Sequence, residues 1–208
     1  MKRKLFFFST LFLLIGIGCK TTEPYVPTQN TVNLYATCLV CHSTREMQRG
    51  PILNGMQPWY TQSQMLKFKK GIRGSNEENK SERLMVTGIT HVPTEQEIKD
   101  LAKYIGTLKP LPHKQTVRGD LENGKAQYVR CKSCHGDQAE GKKFLKAPQL
   151  AYLEDWYMLD QLRKYQNGMR AYHDKDEHGK IMAASLSDMS EQDFKDVTAY
   201  IVDAFGAK

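Results

Sequence analysis

The chain has 208 residues, 40% hydrophobic and 25% charged, which fits one large or two small globular domains and excludes a disordered chain, a collagen-like repeat or a polytopic membrane protein. Five cysteines are too few for a disulfide-built scaffold of this length. The net charge of +7 falls to +4 once Lys2, Arg3 and Lys4 are set aside, well below the clustered excess of a nucleic-acid binder.

Those three residues open a segment, 1–18, that reads as a signal peptide. Residues 5–17 are apolar apart from Ser9, Thr10 and Gly16, and the run is short for a membrane span, which needs about 20 residues. It ends Gly16-Ile17-Gly18-Cys19, which resembles a bacterial lipoprotein processing site with Cys19 as the lipid-bearing first residue. Ordinary cleavage near Gly18 is the alternative. Residues 19–30 then read as a polar tether, kept out of a helix by Pro24 and Pro27. The expectation is an exported, periplasmic protein held at the membrane surface by a lipid.

Beyond the tether the patterning is helical. Short helices are predicted over 32–38 and 121–131, each running into a cysteine motif. Residues 58–71 and 155–168 carry apolar residues at helical spacing and end at glycine. Thr94, with Glu97 three residues on, and Ser190 mark the starts of closing helices that run to about Leu108 and Phe205. Long alternating strand patterns are absent, so the fold class is all-α. Pro110 and Pro112 stop the preceding helix and separate a first domain, 31–110, from a second, 114–208.

The two halves repeat each other. Cys38-Leu39-Val40-Cys41-His42 recurs as Cys131-Lys132-Ser133-Cys134-His135, and residues 51–73 recur as 148–170 without a gap, at an offset of 97. Both tryptophans form one matched pair, Trp59 and Trp156, beside Tyr60 and Tyr157, Gln64 and Gln161, and Arg73 and Arg170. The same offset pairs Met85 with Met182. So many unlike residue types in register mean two homologous domains.

In each CxxCH motif the two cysteines and the histidine fall at i, i+3 and i+4, on one face of a helix. Two thiols so placed add to the two vinyl groups of one haem, and the adjacent imidazole lies under the iron, as in c-type haem attachment. Four cysteines could alternatively share a zinc ion, although the pairs lie in separate repeats. A thiol–disulfide role would call for a βαβ context that this chain lacks.

The chain from about Thr31 onward resembles the dihaem class I cytochromes c, of the cytochrome c4 kind. The resemblance rests on the two CxxCH motifs, on Gly50-Pro51-Ile52-Leu53 and Ala147-Pro148-Gln149-Leu150, on Trp59-Tyr60 with Gln64 and Trp156-Tyr157 with Gln161, and on the closing Tyr104-Ile105 and Tyr200-Ile201. It implies two tandem domains about an approximate twofold axis, each wrapping one haem c. Cys38, Cys41, Cys131 and Cys134 would hold the haems, and His42 and His135 would be the proximal iron ligands. Met85 and Met182, on a loop before the last helix of each domain, would be the distal ones. His91 rivals Met85. The proline after each motif, Pro51 or Pro148, would orient the proximal histidine.

An iron with two protein ligands leaves no place for a substrate. The resemblance therefore implies an electron carrier rather than an enzyme, passing single electrons in a respiratory chain between a quinol-oxidising complex and a terminal oxidase or reductase. A fixed cytochrome subunit of a larger oxidoreductase and a dihaem peroxidase are the alternatives. Residues 19–112 carry 12 basic and 8 acidic residues, whereas 113–208 carry 15 of each. Lys67, Lys69, Lys70 and Arg73 read as a basic cluster, either a solvated helix face or a dock for an acidic partner.

Overall fold

The computed structural model describes residues 25–43 and 48–207. The signal segment, Cys19 and the tether as far as residue 24 lie outside the described residues. Those described form eight α-helices and no strand. They are α1 (Gln29–Cys38), α2 (Pro58–Lys69), α3 (Lys80–Ile89), α4 (Glu95–Thr107), α5 (Leu121–His135), α6 (Asp155–Gln166), α7 (Glu177–Ala184) and α8 (Glu191–Phe205).

Short polar side chains start most of these helices, because they accept from backbone N–H groups that have no partner within the helix. Thr94 and Glu97 form a reciprocal capping box on α4, and Ser190 and Asp193 do the same on α8. Asp120 takes the N–H groups of Glu122 and Asn123 at the start of α5. Pro58 opens α2, where its missing N–H costs nothing.

Each group of four helices closes on its own core. In domain 1, Tyr35, Met65, Phe68, Ile98, Leu101 and Ile105 pack together. In domain 2, Tyr128, Met158, Leu162, Phe194, Val197 and Ile201 take the same part. The first and last helices of each domain meet through an aromatic pair. The rings of Tyr35 and Tyr104 stand edge to face at 5.4 Å, and those of Tyr128 and Tyr200 are tilted at 5.8 Å. In domain 2 the crossing is so close that a Cβ on Gly124 would lie 2.1 Å from the Asp196 carbonyl oxygen.

Two features differ from the sequence expectation. Met85 and Met182 do not sit on loops: they lie within α3 and α7. Asn79 and Asp176 accept the backbone N–H of Glu82 and Gly179 respectively and so start a helix before each methionine. The helix entering the second cysteine motif also continues through it to His135, whereas α1 ends at Cys38 and leaves Cys41 and His42 in the next turn.

Candidate functional site

The two domains present the same arrangement. In domain 1 the imidazole of His42 donates from Nδ1 to the carbonyl of Pro51 at 2.7 Å, since a carbonyl oxygen only accepts. In domain 2 His135 donates to the carbonyl of Pro148, also at 2.7 Å. The connecting loops differ by four residues, with separations of 9 and 13, yet both reach the same bond. That bond fixes the ring tautomer and leaves Nε2 with a free lone pair, as a metal-ligating histidine requires. Gly50 lets the chain pass flat against the ring: a Cβ there would lie 2.4 Å from His42 Cε1. Burial holds both imidazoles below their ordinary range. The Pro51 and Pro148 carbonyls pull back the other way, and the Glu154 carboxylate adds to this pull on His42.

The remaining predicted groups gather around these histidines' elements. Cys38 and Met85 border the domain 1 core together with Leu53, Met56 and Leu66. Cys131 and Met182 border the domain 2 core with Leu150, Leu153 and Tyr165. His91 is exposed, and its counterpart at the repeat offset is Asp188. Burial pushes the Cys131 thiol up to about 11 and raises Cys38 as well. A redox or zinc-binding cysteine needs the opposite shift. Among the described residues no three His, Cys, Asp or Glu side chains converge as a metal cluster. Cys41 is half-buried and Cys134 exposed, outside the two cores. A half-buried thiol, Cys38 or Cys131, with a thioether at the same core and an oriented imidazole following it in the chain, fits a covalently attached haem.

A family model for cytochrome c matches twice, over residues 30–109 and 121–204. The chain belongs to the cytochrome c family. It is a dihaem electron-transfer cytochrome with one covalent haem c in each domain. It is 26% identical over 181 residues to a cytochrome c4 of Azotobacter vinelandii, an alignment covering 80% of this chain and 83% of that one. The fold matches the cytochrome c4 of Acidithiobacillus ferrooxidans with a TM-score of 0.64 at 22% identity, over 80% of this chain and 98% of that one. It also matches a thiosulfate dehydrogenase of Marichromatium purpuratum with a TM-score of 0.62 at 23% identity, over 79% of this chain but only 36% of that larger chain.

The two cytochrome c domains meet across a buried polar seam that the sequence did not announce. Arg73 donates to Gln64 of its own domain at 2.7 Å and to Gln161 of the other at 2.9 Å. Arg170 donates to Gln161 at 2.7 Å and to Gln64 at 3.3 Å. Matched residues thus exchange matched contacts, which is the signature of a twofold-like interface. Each guanidinium also lies over an aromatic ring, Phe68 at 4.6 Å and Tyr165 at 4.2 Å, again a matched pair.

The basic cluster divides: Lys67 and Arg73 belong to the seam, whereas Lys69 and Lys70 lie on an exposed face, as one of the two sequence readings expected. Lys67 pairs with Asp176 of domain 2 at 2.6 Å. Lys69 donates to the Val92 carbonyl at 2.8 Å, and Lys70 pairs with Glu95 at 2.9 Å. Arg73 and Glu82, 5% and 4% exposed, form a pair at 2.5 Å. Burial by itself would raise the Glu82 carboxyl, but Arg73, with Arg170 and Lys164 behind it, holds it below the usual carboxylate range. Sequence reasoning missed Glu82, Asp176, Gln57 and Glu154. The repeat offset was the available signal, because it matches Glu82 with Gly179, Asn79 with Asp176 and Gln57 with Glu154, each a change of charge.

Proposed function

We propose that Cys38 and Cys41 hold the haem of domain 1 with His42 and Met85 as iron ligands, and that Cys131, Cys134, His135 and Met182 do the same in domain 2. The reading is carried by one observation: two histidines in unlike loops make the same 2.7 Å bond to the proline that follows the motif. A haem so ligated supplies one reversible electron at the iron and offers no coordination position to a substrate. The chain's own work is to orient the imidazoles, exclude water and fix the thioethers, so that little rearranges when the charge changes. Methionine sulfur favours the ferrous state and sets a higher potential than a second histidine would.

The protein then acts as an electron carrier rather than an enzyme, accepting single electrons from a quinol-oxidising complex and delivering them to a terminal oxidase or reductase. Export to the periplasm and a lipid on Cys19 would hold it at the membrane surface that such partners share. The likeness to part of a thiosulfate dehydrogenase favours one second reading, a fixed electron-transfer subunit of a larger oxidoreductase. Stoichiometric co-purification of another polypeptide would select it.

The ligand assignment is tested on the oxidised holoprotein by its weak far-red band, which low-spin ferric haem shows only with sulfur ligation. Two haems per chain with the full band are expected. Met85→Ala and Met182→Ala should each remove half of it. A full band in the Met85→Ala protein would displace Met85, and a high-spin spectrum in the unaltered protein would bring the peroxidase reading forward.

A further inference from the structure

The two proximal histidines are braced from the opposite domain, and the two braces differ in charge. The peptide group between Pro51 and Ile52 has two ends. Its carbonyl accepts the His42 Nδ1–H at 2.7 Å, and its N–H, on Ile52, donates to Oε2 of Glu154 at 2.7 Å. Glu154 belongs to domain 2 and is 6% exposed. Gln48 donates from Nε2 to both of its oxygens, at 2.9 and 2.8 Å, and so aims the carboxylate.

Domain 2 repeats this construction. The Pro148 carbonyl accepts from His135 at 2.7 Å, and the N–H of the same peptide, on Gln149, donates to Oε1 of Gln57 at 2.9 Å. Gln57 belongs to domain 1, and its Nε2 donates to the Glu140 carbonyl at 3.0 Å, which settles which end of the amide faces the peptide. Gln57 and Glu154 are matched positions of the gap-free repeat. Both stand at the N-cap of a helix, α2 or α6, and neither side chain makes a capping bond. Each is spent on the other domain instead.

A hydrogen bond to a carboxylate is about twice as strong as one to a neutral carboxamide. Hydrogen bonds that share a peptide polarise one another, so an anion at the N–H end makes the carbonyl end a better acceptor. A better acceptor draws the Nδ1 proton, gives the ring more imidazolate character and raises its basicity as a ligand. A more basic ligand favours ferric iron, and the nearby negative charge acts in the same direction.

We infer that Glu154 is a positioning residue of domain 2 that lowers the reduction potential of the domain 1 centre through the Pro51–Ile52 peptide, while Gln57 leaves the domain 2 centre higher. The inference rests on the reading of His42 and His135 as iron ligands. It gives the molecule a built-in order: the last electron to arrive resides on domain 1, and domain 2 fills first.

The test is a redox titration of the full-length holoprotein, with the ring Nδ1–H proton resonances of His42 and His135 followed in the reduced, diamagnetic state. Glu154→Gln should make domain 1 easier to reduce by about three- to tenfold in its equilibrium, tenfold being about 59 mV for one electron, and should move the His42 ring proton toward the position of His135. Domain 2 should not follow. Gln57→Glu is an independent arm with the opposite sign, lowering domain 2 alone. Glu154→Asp keeps the charge but is too short to reach Ile52, so it should shift the ring proton as Glu154→Gln does. Unmoved potentials and ring protons in both Glu154→Gln and Gln57→Glu would overturn the inference. So would equal shifts of both centres, or a Glu154→Asp protein indistinguishable from the unaltered one, since either would leave only a diffuse charge effect. Loss of the sulfur-ligated low-spin spectrum would instead strike the ligand assignment beneath it.

Discussion

Domain 1 and domain 2 share a frame and differ in where the frame keeps its charges. Glu82 on α3 has Gly179 of α7 for its counterpart, and Asp176 at the start of α7 has Asn79 at the start of α3 for its own. A Cβ at Gly179 would lie 2.4 Å from the Asp176 carboxylate, so one position gave up its side chain where the other gained a charge. The carboxylates of the seam have been redistributed between the domains, not duplicated, while the arginines and glutamines that recognise each other stayed matched. The two halves are thus unequal in charge at residues that form the seam between them.

The largest effect should come from breaking that inequality at its buried centre. Arg73→Ala leaves Glu82 buried without its partner and should cost about 3–5 kcal/mol, measured by chemical denaturation. Arg170→Ala should cost clearly less, because its Nε lies 4.0 Å from the same carboxylate. Equal losses would mean that the two arginines are interchangeable. The α5–α8 crossing comes next. Gly124→Ala should overpack it and lower stability by about 1–3 kcal/mol, with the optical signature of domain 2 lost before that of domain 1.

Acid should separate the domains before it unfolds them. The folded carboxyls of Glu82 and Asp176 lie below their ordinary values of 4.5 and 3.8, so their stabilisation is complete above those values and is lost as pH falls through the lower folded ones. Interdomain contact, followed by small-angle scattering, should therefore persist at pH 5 ~ and loosen only below the ordinary carboxylate range, about pH 4. Asp176→Asn should weaken that dependence more than Glu82→Gln, because Asp176 pairs directly with Lys67 across the seam whereas Glu82 pairs with Arg73 of its own domain. The smallest effect belongs to the exposed pair Arg163–Glu191, about half-exposed on both sides, where Arg163→Ala should change stability by no more than about 0.5 kcal/mol.

Much of this was legible in the residues. The repeat, the helical CxxCH face of domain 2 and the capping residues Thr94 and Ser190 are patterns of the residues themselves, and such patterns survive in one dimension; the proline that receives the histidine came with the family resemblance. Helices α3 and α7 were not legible, because each is a short run whose cap, Asn79 or Asp176, sits among other polar residues. The parts of Lys67 and Arg73 in the seam were not legible, because Asp176 and Gln161, which they reach, lie in the other domain. Gln57 and Glu154 were invisible as braces for the same reason: a polar residue before a helix reads as a cap until the peptide it reaches is known.

The crossed braces have a consequence for modularity. Tandem repeats are commonly regarded as cassettes, each complete and exchangeable for a relative. Here each cassette exports one of its own fittings to its neighbour, so cutting the chain at the linker would leave each half without the residue that braces its own histidine-bearing peptide, Glu154 for domain 1 and Gln57 for domain 2. A chimera built from one half of this protein and one half of a homologue would inherit that mismatch unless the residue before the second helix were exchanged along with it. The unit that selection or an engineer can move is the pair.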